Sequence, residues 1–279
     1  MNISEIIKQA LQEDIGDGDH SSLASIPENA QGKMILLAKE NGIIAGIEIA
    51  KEILKQIDPS IAITCFKKDG DEITVGDIVF ELAGTVRSML SAERTLLNFM
   101  QRMSGIATAS KKYTEAVKRT NTIILDTRKT TPNMRVLEKY AVTMGGAKNH
   151  RFGLYDMIML KDNHIDFAGG IEKAIDNTHE YLKKNNLNLK IEIETRTIED
   201  VKRVVKHGKI NRIMLDNFSP EKIVEALQII NKKFETEASG GITLENINEY
   251  AKTGVDYISI GALTHHIKSL DLSLKFSAT

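Results

Sequence analysis

The chain has 279 residues and a formal net charge of −1, with 37 Lys and Arg against 38 Asp and Glu. It is long enough for one large domain or two modest ones. Its balanced charge excludes the strongly basic footprint of a nucleic-acid-coating protein and the composition of a disordered chain. No apolar run approaches the roughly 20 residues of a membrane span, and Met1–Asp14 carries acids and lacks the apolar stretch of a signal peptide. The single cysteine, Cys65, excludes an internal disulfide and a cysteine-built zinc site, so the composition predicts a cytoplasmic protein with a reduced thiol.

In chain order, the first stretch reads as a helix that Ser4 can cap, with Ile6, Ile7, Ala10 and Leu11 on one apolar face. Glu13–Ser22 reads as a loop, with two glycines and alternating acids. A β-run begins at Gly32–Ala38, and Ile47–Ile57 reads as a helix. Asp69–Met89, punctuated by Gly70, Gly76 and Gly84, predicts short antiparallel strands. Ser91–Lys118 is a long helical stretch with an expected break near Ser104 and Gly105. The N-terminal part is therefore an α+β unit.

The second half changes rhythm. Six short β-branched, apolar runs recur: Thr122–Arg128, Met157–Asn163, Leu189–Thr195, Arg212–Phe218, Phe234–Ser239 and Tyr257–Leu263. Helix-period segments separate the later ones, at Ile198–Lys206, Pro220–Asn231 and Leu244–Lys252, and Pro220 suits a first helical turn after Ser219. Strand and helix in alternation predict parallel βαβ units. Strands of nearly continuous apolar character suit a closed barrel, with a doubly wound open sheet as the competing geometry.

In a parallel barrel the site lies at the C-terminal strand ends. Here those ends carry Asp126, Arg128 and Lys129; Lys161, Asp162 and Asn163; Glu194; Asp216 and Asn217; Ser239, Gly240 and Gly241; and Gly261. Any one of them could be a solvated strand end or helix cap, but closure would bring all six ends to one rim. From Asp126 to Lys161, seven Lys and Arg stand against three Asp and Glu. Such a well attracts an anion, and arginine captures carboxylate or phosphate bidentately. A solvated helix face accounts for Lys139 and Arg135, but not for Arg128, Lys129 and Lys161 at strand ends. Ser239-Gly240-Gly241 opens a helix and lets backbone N–H groups approach a phosphate. Alone it is a plain tight turn, and Gly261 on the next strand strengthens the phosphate reading. Glu194 and Asp216 end adjacent strands, where they could pair with lysines, act as general acid and base, or hold a divalent cation such as Mg²⁺. His150 and Arg151 follow Gly145 and Gly146 inside the basic region.

These motifs resemble the quinolinate phosphoribosyltransferase family. The resemblance rests on EDIGDGD (Glu13–Asp19), AERTLLNFMQRMSGIAT (Ala92–Thr108), DTRKTTPNMR (Asp126–Arg135) and EKYAVTMGGAKNHRFGLYD (Glu138–Asp156). It continues through KDNHI (Lys161–Ile165), IEIE with Glu192 and Glu194, LDNF (Leu215–Phe218), ASGGI (Ala238–Ile242) and ISIGALTH (Ile258–His265), in family order along nearly the whole chain. DTRKT followed by NHR and KDNH is the specific part.

The resemblance implies conversion of quinolinate and phosphoribosyl pyrophosphate to nicotinate mononucleotide, pyrophosphate and CO₂ in de novo NAD synthesis, with Mg²⁺. It implies an α/β fold: an N-terminal α+β sandwich over residues 1–105, joined by a C-terminal helix over 265–279, and an open, TIM-like α/β barrel of about seven parallel strands over 106–264. The seventh strand should lie between Lys129 and Met157. It implies a homodimer, or a higher assembly, with shared active sites and no nucleic-acid or membrane partner. Arg128, His150 and Arg151 would clamp quinolinate, with Arg94 of the partner subunit. Lys129 and Lys161 would neutralise both substrates. Glu194 and Asp216 would hold the ribose hydroxyls and Mg²⁺-pyrophosphate, and Ser239, Gly240, Gly241 and Gly261 would cradle the 5′-phosphate. Lys129, Lys161, Glu194 and Asp216 would be the catalytic set. The departures lie in loops: Ala147 at an expected glycine, Asn133-Met134 in place of Gly-Leu, and DHSS (Asp19–Ser22) in place of a Thr-rich turn. Two rivals are a paralogous transferase with another acceptor, as in the molybdenum-associated relatives, and a catalytically silent phosphate-binding barrel. The arginine and histidine set counts against the first, and retention of the acids and lysines counts against the second.

Overall fold

The computed structural model describes residues 2–277. The chain opens with α1 (Ile3–Ile15), α2 (His20–Ser25), β1 (Gln31–Ala38), β2 (Gly42–Ile43), α3 (Ile47–Ile57), β3 (Ala62–Cys65), β4 (Glu72–Ile73), β5 (Ile78–Thr85) and α4 (Val86–Val117). There follow β6 (Ile123–Leu125), α5 (Arg135–Met144), β7 (Ile158–Leu160), α6 (Asp162–Ala168), α7 (Ile171–Lys184), β8 (Ile191–Thr195), α8 (Ile198–His207) and β9 (Arg212–Asp216). It ends with α9 (Pro220–Ile230), β10 (Glu235–Ser239), α10 (Ile247–Lys252), β11 (Tyr257–Ser259), α11 (Ala262–His265) and β12 (Leu272–Phe276). The long helix α4 is too polar to cross a membrane, and among the described residues no helix is long and apolar enough to do so.

The chain divides into two compact units. The first comprises Met1–Lys111, Thr130–Gly146 and Ala262–Thr279, and the second Lys112–Lys129 and Ala147–Gly261. By compactness the first division falls after Lys111, and Thr130–Gly146 groups with the N-terminal residues.

Unit 1 is built on an antiparallel sheet of order β12-β1-β5-β3. Met34, Leu36 and Ala38 alternate along β1 and are buried, as a half-buried strand requires. The expected C-terminal helix over 265–279 is a strand instead. Leu270, Leu272 and Leu274 are buried at period two, and β12 pairs with β1 from Leu272↔Ala38 to Phe276↔Met34. Residues 278 and 279 of that span lie outside the described residues. Asn2, not Ser4, caps α1 by accepting from the Ser4 N–H, while Ser4 Oγ donates to Glu52. The expected loop Glu13–Ser22 shrinks, because α1 runs to Ile15 and Asp19 caps α2 through the Ser22 N–H.

The predicted break at Ser104 and Gly105 is absent, and α4 runs unbroken for 32 residues. Both residues serve close packing. Ser104 Oγ exchanges hydrogen bonds with the Ala45 N–H and carbonyl, and a Cβ on Gly105 would sit 2.3 Å from the Lys268 carbonyl oxygen. Lys139, read as a solvated helix residue, is 1% exposed. Its neighbour Glu138 is also sealed, and Oε1 accepts two hydrogen bonds from Arg102, at 2.8 and 2.6 Å. Arg102 and Glu138 also grip Thr131, through its hydroxyl and its N–H respectively. Asn133, where the resemblance led to the expectation of a glycine, has φ +64°, a left-handed conformation that asparagine tolerates better than most residues.

Unit 2 holds the parallel sheet, in the order β6-β11-β10-β9-β8-β7. All six runs expected from the sequence are strands, and α8 and α9 fill the expected helical segments, with Ser219 capping and Pro220 in the first turn. Beyond β6, Lys148 forms a parallel bridge to Leu125, which puts a seventh, minimal strand between Lys129 and Met157. This is the open α/β barrel architecture: one residue of pairing at one edge and β7 at the other.

Replacing glycine by alanine inside a helix ordinarily gains about 1 kcal/mol. Gly105→Ala should instead destabilise the protein by about 1–3 kcal/mol, because the methyl group meets a backbone carbonyl that cannot swing aside. A lowered urea midpoint at unchanged slope measures it.

Candidate active site

Alternate residues of a strand face the same side, and the parallel register stacks the inward positions of unit 2 into layers. Asp216 and Ser239 end β9 and β10 and pair with each other, and Glu194 stands one residue before the end of β8. One layer below, Glu194, Met214, Glu237 and Tyr257 are in register. Below these, Glu192, Arg212 and Glu235 are in register. The layers thus change from polar rim to charged interior without leaving the sheet.

At the rim, Arg128 follows β6 by three residues and Arg151 follows the Lys148 bridge by three. The two guanidinium groups are electrostatic neighbours. Burial lowers the Arg151 pKa, and the like charge of Arg128 lowers it further. Arg151 donates to the Met157 carbonyl at 3.2 Å, whereas the buried Nε of Arg128 has no hydrogen-bond acceptor among the described residues. A buried donor in that condition calls for an acceptor, and two adjacent cations call for an anion of two charges.

Across the rim, Glu194 and Asp216 repel each other. Burial raises the pKa of Glu194, and Asp216 raises it further, while Lys161 opposes both. Burial also raises Asp216, against a 2.7 Å hydrogen bond from Asn217 and the charges of Lys161 and Lys129. Lys129, Lys161, Glu194 and Asp216 therefore share one electrostatic neighbourhood. Two half-buried carboxylates that repel each other fit Mg²⁺, which takes few protein oxygens and keeps water. Lys129 and Lys161 are exposed, and Lys161 N–H donates to His164 Nδ1 at the start of α6.

Ser239 leads into Gly240 and Gly241, whose φ values of +95° and +63° suit glycine. A Cβ on Gly240 would lie 2.2 Å from Asn217 Oδ1, so the turn packs against the end of β9. A Cβ on Gly241 would meet nothing within 4 Å, which leaves the backbone open to an approaching anion. Gly261 ends the neighbouring strand's extension, next to β10 in the sheet. The expected site residues of unit 2 thus gather at the strand ends. Arg94 lies on α4 in unit 1 and is exposed.

His150 sits deeper than the other expected site residues. It is 9% exposed, with Nε2 3.0 Å from Glu192 Oε2 and 3.3 Å from Glu237 Oε2. Burial pulls its pKa down, but the two carboxylates outweigh burial and push it up. Nδ1 accepts from the Arg151 N–H at 2.6 Å. Burial, then repulsion from Glu237, raises Glu192, against the hold of His150. Glu237 stays low despite its burial, held by His150, Ser259 and Arg212. Arg212 donates to Glu237 at 2.9 Å and to Glu235 at 3.1 Å, and lies 3.9 Å over the Tyr257 ring. The ligand-type atoms of His150, Glu192 and Glu237 lie within 4.8 Å of one another, but Arg212 already supplies the balancing positive charge.

Glu237 and Arg212 were not among the residues expected at the site, and Glu192 entered only as part of a motif. Their signal is a charged residue at the inward parity of an otherwise apolar strand: IEIE, RIMLD and ETEAS.

The chain matches the family described as quinolinate phosphoribosyl transferase, with its N-terminal domain at residues 19–104 and its C-terminal domain at residues 106–275. It is 45% identical to the Arabidopsis thaliana protein named nicotinate-nucleotide pyrophosphorylase [carboxylating], chloroplastic, over 98% of this chain and 82% of that one. It is also 45% identical, with the same coverage, to quinolinate phosphoribosyltransferase [decarboxylating] 2b, mitochondrial, of Nicotiana tabacum. Among solved structures, NadC from Streptococcus pyogenes superposes with a TM-score of 0.94 at 40% identity, covering 99% of this chain and 97% of that one.

Alanine in a left-handed conformation costs about 1–2 kcal/mol. Gly240→Ala should lose more stability than Gly241→Ala, because only the first adds a clash, worth about 1–3 kcal/mol. Paired urea denaturation curves measure the difference.

Proposed function

The chain belongs to the quinolinate phosphoribosyltransferase family, and on that premise we propose how its rim residues carry out the reaction. The enzyme transfers a phosphoribosyl group to quinolinate with loss of CO₂, giving nicotinate mononucleotide for NAD synthesis. Quinolinate is a dicarboxylate. Arg128 and Arg151 take its two carboxylates by charge-assisted hydrogen bonds, with His150 behind them and Arg94 of the partner subunit closing the clamp. The observation that carries this reading is the adjacency of two like-charged guanidinium groups, one with a buried Nε that lacks an acceptor among the described residues.

Phosphoribosyl pyrophosphate lies along the remaining rim. Ser239, Gly240, Gly241 and Gly261 cradle the 5′-phosphate, the open face of Gly241 admitting an oxygen. Glu194 and Asp216 hold the ribose hydroxyls, and Lys129 and Lys161 spread positive charge over both substrates. Mg²⁺ held by Glu194 and Asp216 would neutralise the departing pyrophosphate. The fixed clamp aligns the pyridine nitrogen with C1 of the ribose, where positive charge develops as the C1–O bond breaks. After that nitrogen is alkylated, the cationic ring stabilises the electron pair left on the ring carbon when the adjacent carboxylate departs as CO₂, and a proton from water then takes the carboxylate's place. No protein nucleophile is required. We also propose that the enzyme works in the cytoplasm as a homodimer with shared sites, or as a higher assembly of such dimers, and binds neither nucleic acid nor membrane.

The direct test is quinolinate-dependent release of CO₂ with phosphoribosyl pyrophosphate and Mg²⁺. Turnover with nicotinate instead would identify a paralogous acceptor, and substrate binding without turnover would identify a silent barrel. Arg128→Ala removes a charge-assisted contact worth about 1.5–3 kcal/mol, a loss of roughly tenfold to more than a hundredfold in kcat/KM. A wild-type rate would remove Arg128 from the clamp. Mixing Arg94→Ala chains with Arg128→Ala chains should partly restore activity, because each hybrid dimer regains one intact site. Confirmed heterodimers without activity would refute the shared site.

A further inference from the structure

The charged interior beneath the rim has a geometry that substrate binding alone does not explain. Glu192 and Glu237 are both fully buried, on strands two places apart in the sheet. Replacing a buried ionic group by apolar side chains is often neutral or stabilising, so stability gives no reason for two acids here. Their carboxylates converge on one atom, His150 Nε2. The opposite nitrogen of the same ring accepts the Arg151 N–H at 2.6 Å, and the His150 N–H donates to Asp126 Oδ1 at 2.8 Å. Asp126 is itself buried and stands two residues before Arg128. Both ring nitrogens therefore face the protein, and the ring is a strut between the β8 and β10 carboxylates and the backbone that launches Arg151.

We propose that Glu192 and Glu237 are positioning residues: acting through His150, they fix the backbone of Arg151 and so aim its guanidinium at a quinolinate carboxylate. The proposal rests on the functional reading above and adds to it the group that sets the clamp's direction. A guanidinium on a flexible stem is aimed only as well as its Cα is held. His150 holds it by a hydrogen bond to the adjacent N–H, and the acids hold His150. Arg212 completes the unit from below by holding Glu237 in place. Placement errors near 1 Å in a binding group can cost on the order of 100-fold in rate, a larger effect than the loss of one exposed hydrogen bond.

The test uses the full-length enzyme with Glu192→Gln and Glu237→Gln, which keep the side-chain shape and alter its hold on Nε2. Each should raise the KM for quinolinate about tenfold or more while the KM for phosphoribosyl pyrophosphate moves less than twofold. A merely structural role would shift both constants together or neither. Each should also be non-additive with Arg151→Ala, adding less than twofold to the quinolinate KM of that variant, because the aim no longer matters once the guanidinium is gone. An unchanged quinolinate KM in both variants, or full additivity, would overturn the proposal. Should both variants fail to fold, a crystal structure of the wild-type enzyme with phthalate decides. Retention of the Nδ1 bond to Arg151 and of the Nε2 contact with the acids is expected, and rotation of the ring onto the phthalate would overturn the proposal. Absence of quinolinate turnover in the wild type would overturn the functional reading and the proposal with it. Normal turnover with unmoved variants overturns the proposal alone.

Discussion

Three ionisable side chains buried among parallel strands, His150, Glu192 and Glu237, face one another, with the partly exposed Arg212 beside them. A lone ion there would be expelled or neutralised. The Arg212–Glu237 contact at 2.9 Å pairs one cation with one anion, and Glu192 lies 3.0 Å from His150 Nε2. Removing a single member leaves a partner uncompensated, at a cost of about 3–5 kcal/mol, although the intact set need not add stability over an apolar core. Such an interior is tolerable only if every member is placed together, which ties β8, β9, β10 and the turn after Lys148 into one geometry.

The rim above obeys the opposite logic. Arg151 is destabilised as a cation by Arg128, and Glu194 is destabilised as an anion by Asp216. Each pair keeps like charges together at a position half-open to solvent. Under the proposed function a dianion would relieve the first and a divalent cation the second, so that ligands would gain affinity from repulsion already present in the protein. The interior sets opposite charges against one another, whereas the rim keeps like charges together. That contrast separates positioning from binding more sharply than distance from the substrate does.

Much of this was legible in the sequence where local rules govern. The six strand runs carry their own β-branched continuity, and Ser219 with Pro220 marks the start of α9. The rim residues follow because parallel strands end together. What was hidden depends on contacts far apart in the chain. Gly105 looks like a helix breaker until the Lys268 carbonyl is seen beside it, and the Leu270, Leu272, Leu274 alternation becomes a strand only because β1 offers an edge. Lys139 has the spacing of a solvated residue and is buried. Asn133 departs from the glycine expected there, yet its positive φ explains the exchange. Glu192 and Glu237 were visible as acids inside apolar runs, but their convergence on His150 is a property of the register.

That register is the deeper constraint. Because side chains alternate with period two, a slip of one residue in β8, β9 or β10 would send the rim acids toward the helices and draw apolar residues into the barrel. It would also part Glu192 and Glu237 from His150. The same pairing, Glu194 with Met214 and Ser239 with Asp216, therefore fixes both the rim proposed to meet substrate and the interior proposed to aim Arg151. A substitution that loosens strand pairing at the bottom of the sheet, near Arg212 and Glu235, acts on both layers at once. The strand ends are thus placed by packing at the other end of the same strands, at Arg212 and Glu235.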